Sequence, residues 1–173
     1  TLALRLQEFD WAKNFIETHK KKVLGVMPSQ QYYEFALANC LFYTKDYQET
    51  CRILMTSDFA DIQCIITGRL LEIKALAEQF YRENADHRVG EYLEDRVEAA
   101  ILFFFRHKDL EASKKKMGKR FADTMKRIIH AEGKRDVQRL EIILQDIQKA
   151  EFIAERQWLT KLVEDLIAKH KKK

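Results

Sequence analysis

This sequence predicts an all-α fold, an array of antiparallel helical hairpins with about eight helices, and three observations carry that reading. Apolar residues recur at alternating intervals of four and three, the spacing of a helix face, and nowhere at the period of two that marks a strand. The 173 residues include a single proline and five glycines, which leaves little room for irregular backbone. One stretch, Phe59 to Tyr81, places Ile62, Ile66, Arg69, Ile73, Leu76 and Phe80 on one helical stripe, widened by Ile65, Leu70 and Ala77. A stripe that wide predicts a central helix covered on two sides, in the middle of a stack.

In chain order, Leu2 to Gln7 reads as the end of a helix. Phe9, Ala12 and Ile16 then share one face of a short helix with Gly25 as its stop. Met27-Pro28-Ser29 marks a turn, because proline disfavours a helical conformation in the residue before it and suits the first helical turn itself. A second helix, from around Gln30 to Tyr43, turns Tyr33, Leu37, Cys40 and Leu41 inward. A third begins at Asp46, whose carboxylate can accept a first-turn amide while Glu49 reaches back, a capping box with aspartate in place of serine. Tyr47, Thr50, Cys51 and Leu54 form its apolar face, and Asp58 or Ser57 is expected to cap the central helix.

Beyond Tyr81 the helices lengthen. Asn84-Ala85-Asp86-His87 is a polar turn, after which Val89, Leu93, Val97, Ala100, Ile101 and Phe104 make a helix to around His107. Phe103-Phe104-Phe105 sends apolar bulk in three directions, which predicts cover on most sides. Asp109 is the expected N-cap of the next helix, which carries Leu110, Met117, Phe121, Met125, Ile128 and Ile129 and stops at Gly133. Val137, Leu140, Leu144 and Ile147 mark another. The last, around Ala154 to Lys169, turns Trp158, Leu159, Leu162, Val163 and Leu166 inward and closes the array with one polar face.

Two segments echo each other. Glu8-Phe9-Asp10-Trp11-Ala12 with Ile16, and Lys45-Asp46-Tyr47 with Thr50 and Leu54, each open a helix on an acidic-aromatic pair, and Ala38 and Leu41 set a small and a large residue on the preceding helix. These segments resemble the turn and second helix of a tetratricopeptide repeat. Thr50 stands where that repeat usually has alanine, and the spacing from Phe9 to Tyr47 is wider than its period of about 34 residues. The chain therefore reads as one helical repeat domain over 1–173, tetratricopeptide-like in 1–81 and with longer packing helices in 82–173. The resemblance implies a superhelical groove that holds a peptide or a helix of another protein.

Composition narrows the alternatives. Thr1 is not an initiator methionine and the chain opens inside a helical pattern, which predicts a fragment of a longer chain or a processed product. No apolar run approaches the roughly 20 residues that cross a bilayer. Cys40, Cys51 and Cys64 are odd in number and without short metal-type spacing, which points to reduced core thiols and a cytoplasmic setting. A net charge of +4, from 31 basic against 27 acidic residues, is too small to imply nucleic acid by itself. There is no His-Glu-x-x-His, no Glu-x-x-His pair and no glycine-rich phosphate loop, so no catalytic residue, metal or cofactor is expected. Gly68 and Gly90 read as close-packing positions and His107 and His130 as helix-end residues. Glu91, Glu94, Asp95 and Glu98 read as a solvated acidic face offset by Arg88 and Arg96.

The leading expectation is a non-catalytic protein-interaction module or scaffold, with outward residues Asn39, Tyr43, Arg69 and Lys74 as the candidate contacts. The alternative is nucleic-acid binding or a regulatory role through the basic face between Lys114 and Arg127. Lys115, Lys119 and Arg120 are its candidates, because positive charge in the first half of a helix is not explained by the helix dipole. The cations at His19 to Lys22, at a helix C-terminus, are explained by it. Self-association through Trp158 and Leu159 is open if the last helix is not packed inward.

Overall fold

A computed structural model describes residues 8–23, 29–83, 86–108 and 110–171. The expected helix end at Leu2 to Gln7, the stop at Gly25, the Met27-Pro28 turn, the Asn84-Ala85 turn and the cap at Asp109 lie outside them. Among the described residues there are helices and connecting turns and no strand. The helices are α1 (Phe9–Val23), α2 (Ser29–Tyr43), α3 (Tyr47–Thr56), α4 (Ile62–Arg82), α5 (His87–Arg106), α6 (Ala112–Gly133), α7 (Val137–Lys149) and α8 (Arg156–Lys171). The chain divides into two compact units, Thr1–Leu93 and Glu94–Lys173, with the boundary inside α5.

In the first unit each of α1, α2 and α3 packs on the helix that follows it, and α2 also packs on α4. Ala12 and Cys40 meet at the buried contact of α1 with α2, with Phe9 and Ile16 beside them. On α3 the expected face, Tyr47, Thr50, Cys51 and Leu54, is buried. Thr50 donates its hydroxyl to the Asp46 carbonyl at 2.7 Å, so this buried threonine leaves no unsatisfied polar group. On α4 every residue from Leu70 to Glu78 is buried, which is cover all round.

That helix starts later than its stripe suggests. Its cap is Asp61, which accepts the Cys64 amide at 2.9 Å, rather than Asp58 or Ser57. The buried Gln31 is the reason: its side-chain carbonyl accepts the amides of Ala60 at 2.7 Å and Asp61 at 3.3 Å and so holds the segment before the helix. Asp46 caps α3 as expected, accepting the Glu49 amide at 3.2 Å. Glu49 does not reach back, because its carboxylate is taken by Arg52 at 2.6 Å.

In the second unit α6 packs on α7 and α7 on α8. Val97, Ala100, Phe104, Phe121, Met125, Ile128, Leu140, Ile143, Ile147, Leu159, Leu162, Val163 and Leu166 are buried. Trp158 is half-buried against the Phe121 ring, with centroids 6.1 Å apart. Cover is not complete on α5, since Phe105 is 69% exposed and Leu102 is exposed beside it on the same face. Three consecutive rings point about 100° apart, and burying Phe104 turns its neighbour outward.

One turn is used twice. At Leu41 to Asp46 the Asp46 amide bonds to the Leu41 carbonyl at 2.8 Å and the Lys45 amide to Phe42 at 3.1 Å. At Ala131 to Asp136 the Asp136 amide bonds to Ala131 at 2.9 Å and the Arg135 amide to Glu132 at 2.8 Å. Both are Schellman closures, and the aspartate that ends each also caps the next helix. The helix stops at Gly133 as expected, but the left-handed positions of the two turns fall on Lys45, φ 67°, and Arg135, φ 54°, rather than on a glycine. An L residue there costs about 1–2 kcal/mol, part of which glycine returns as chain entropy. Lys45→Gly and Arg135→Gly are each expected to stabilise the protein by about 0.5–1 kcal/mol in denaturant unfolding. A loss of stability in both would sink that account of the turn.

Candidate functional site

Two surfaces follow from the sequence candidates. The first is the outer face of α2. Tyr32, Ala36, Asn39 and Tyr43 recur at intervals of four, three and four, so they form one stripe along the helix. Tyr32 is 49% exposed and Tyr43 39%, large aromatics left at the surface while Ala38, Cys40 and Phe42 are buried on the same helix. Ala36 is half-buried between them, and its single methyl leaves the middle of the stripe low. Asn39 donates its amide to the Phe35 carbonyl at 2.8 Å, which fixes the side chain and leaves its own carbonyl as an acceptor. Tyr43 stacks on Phe9 of α1 at 6.4 Å and meets Phe42 edge-on at 5.7 Å. The stripe therefore sets two aromatic rings about a small residue and one fixed amide.

Arg69 and Lys74 do not extend it. Arg69 is half-buried, and Lys74 is 6% exposed rather than outward. The two stand about 140° apart around α4, so they cannot share a face. Lys74 lies where α4 is covered, with its ammonium 4.6 Å from the centroid of the Phe42 ring. Its aliphatic stem is part of the core. The sequence candidates omit Tyr32 and Ala36, although their spacing to Asn39 and Tyr43 is there to be read. Exposed aromatics also stand on α1, where Trp11 and Phe15 stack at 5.2 Å and Phe15 lies 4.3 Å from the His19 ring.

The second surface is the basic face of α6, and most of its charge is already spent within the unit. Lys119 pairs with Asp123 at 2.7 Å, Lys126 with Glu98 at 2.5 Å and Arg127 with Asp146 at 2.6 Å. Lys115 donates to the His107 carbonyl at 3.3 Å, meeting an open helix-end acceptor of α5. Arg120 donates to the Phe152 carbonyl at 3.2 Å. The three carboxylate-paired cations release fewer counterions to phosphate, so this face offers a polyanion less than its sequence suggests, while Lys115 and Arg120, bonded to neutral carbonyls, keep their charge.

No protein-family model, curated protein or solved structure matches this chain. Among the described residues no group of three or more histidine, cysteine or acidic side chains is placed to hold a metal ion, and no helix is long and apolar enough to cross a membrane.

Cys40, Cys51 and Cys64 are free and buried. Burial, helped by the nearby Glu72 charge, pushes the Cys51 thiol up to about 12, and burial together with Asp61 pushes Cys64 up to about 11. Both folded values lie above the ordinary thiol value of 9.0, so the stability they contribute is full below that pH and is lost as pH rises through 11 to 12. A thiol reagent at about pH 8, below the unperturbed thiol pKa, is expected to leave Cys51 and Cys64 unmodified in the native protein and to label both in denaturant. Rapid native labelling of either would contradict their burial.

Proposed function

We propose that this chain is a non-catalytic interaction module, a tetratricopeptide-like stack of helical hairpins. In this reading a peptide or helix of another protein lies along the outer face of α2. The observation that carries the reading is the Tyr32, Ala36, Asn39 and Tyr43 stripe. Exposed tyrosines backed by a packed helix offer contact area at low entropic cost, the composition of binding hot spots. The low step at Ala36 gives a partner side chain a place between the two rings, and the Asn39 carbonyl gives it an acceptor. The packing of α2 on both α3 and α4 supports the reading, since stacked hairpins bring first helices side by side and leave one of their faces open.

The test is selection of peptides from a displayed random library against the full chain, followed by affinity measurements on variants. Tyr43→Ala and Tyr32→Ala are each expected to weaken selected peptides by about tenfold or more, the loss of one aromatic anchor. Tyr32→Ala should leave the fold unchanged, and Tyr43→Ala, which gives up ring contacts with Phe9 and Phe42, is compared only where circular dichroism shows the parent helix content. Peptides that bind these variants as tightly as the parent would place the groove elsewhere and end the proposal.

A further inference from the structure

The basic face of α6 has one part that the internal ion pairs do not consume. Between α6 and the connector from α7 to α8 lies a cleft of about 480 Å³, lined on one side by Lys116, Arg120 and Arg127 and on the other by Asp146, Lys149 and Glu151. Arg127 and Asp146 neutralise each other at 2.6 Å. The remaining lining charges are three cations, Lys116, Arg120 and Lys149, against the single carboxylate of Glu151. Two positive charges are left facing one small space.

The connector that forms the far wall is tied down. The Arg156 guanidinium donates to the carbonyls of Gln148 and Glu151, each at 3.3 Å, and to that of Ala150. It thereby covers the negative end of α7, which would otherwise repel an anion. Arg120 is held by the Phe152 carbonyl at 3.2 Å, which uses one of its five donors and leaves the others. Lys116 sits 5.1 Å from the centroid of the Phe152 ring, which limits where its ammonium can go. Thr124 contributes no donor, because its hydroxyl proton goes to the Arg120 carbonyl at 2.7 Å.

We infer that this cleft is an anion site that takes a dianionic phosphate group, whether a phosphate monoester or the free anion. A phosphate carrying about −1.5 to −2 at neutral pH matches the residual charge, whereas a single carboxylate would leave half of it uncompensated. The volume falls within the range of small-ligand sites, about 300–1,000 Å³. The cleft uses none of the residues of the α2 face and stands or falls independently of it.

The test is an amide-resolved NMR titration of the full chain at constant ionic strength. Four ligands are compared: inorganic phosphate, a short neutral peptide bearing one phosphoserine, its unphosphorylated form, and acetate. Phosphate and the phosphopeptide are expected to shift α6 and the connector, with acetate and the unmodified peptide at least about fivefold weaker. Lys116→Gln and Lys149→Gln, both exposed and expected to leave the melting temperature unchanged, should each lower phosphate affinity about fivefold. A phosphopeptide that binds about tenfold tighter than free phosphate assigns a phosphorylated side chain as the source, and equal affinities assign the free anion. Acetate shifts equal to those of phosphate, or unchanged phosphate affinity in both lysine variants, overturn the inference.

Discussion

Gly118→Ala is expected to destabilise the second unit by about 2–4 kcal/mol, the upper range for forcing an extra methyl into a filled core. A Cβ at Gly118 would overlap Cζ and Cε1 of Phe104 and lie 2.8 Å from its Cε2. The Phe104 ring has no exposed surface, so it has no open side into which to swing. The helix propensity that alanine gains, about 1 kcal/mol, offsets only part of this. Two other glycines serve as controls. At Gly68 a new Cβ would meet Leu54 and Phe59 at an ordinary 3.7 Å, so Gly68→Ala should be neutral or stabilising. At Gly90 it would come 2.8 Å from the Phe80 ring, but Phe80 is only half-buried and can turn away, so the cost should be smaller than at Gly118. Thermal unfolding of the three alanine variants gives the order, and Phe104→Leu combined with Gly118→Ala should recover part of the loss. Equal melting temperatures for Gly68→Ala and Gly118→Ala would refute the close-approach argument.

Glu78→Ala is expected to cost the first unit about 2–3 kcal/mol. Glu78 is buried on α4, accepts the Tyr47 hydroxyl at 3.5 Å from α3 and pairs with Arg82 at 3.1 Å. Removing the carboxylate strips two polar groups of an acceptor they share. The penalty stays below that of a wholly buried pair because Arg82 is partly exposed and can find water. Glu78→Gln should cost less, since the amide still accepts from Tyr47. The two variants also differ in alkali. Burial first, and the Glu78 charge second, push the Tyr47 phenol up to about 12. The folded value exceeds the ordinary phenol value of 10.0, so the contribution is complete below that pH and is lost as pH rises through 12. With the charge removed in Glu78→Gln, phenolate absorbance in the native protein should appear at lower pH than in the parent. An unchanged titration would remove Glu78 as a cause.

Much of the fold was legible because helix formation is a local matter. The inward faces of α3, α5 and α8 are those the spacing marks, since residues three and four apart fall on one side of a helix whatever its neighbours. The Asp46 cap is legible for the same reason, its partner amide being three residues away. The start of α4 was not, because the bond that holds its preceding segment comes from Gln31, 29 residues back from Ala60. The burial of Lys74 was not, because a lysine reads as outward until a ring on another helix, Phe42, is found beneath its ammonium.

The candidate surfaces divide in the same way. Tyr32, Ala36, Asn39 and Tyr43 form a stripe by spacing alone, and the sequence alone makes α6 rich in cations. Which side of α2 stays open was decided by the helices packed against its other faces. Which of the α6 cations remain available was decided by partners 19 residues away, as in Arg127 with Asp146, or on another helix, as in Lys126 with Glu98. Periodicity is a property of neighbouring residues and needs no tertiary structure to be read. Charge pairing and close approach, such as the Phe104 ring over Gly118, depend on which helix lies across the gap, and only the packed structure determines that.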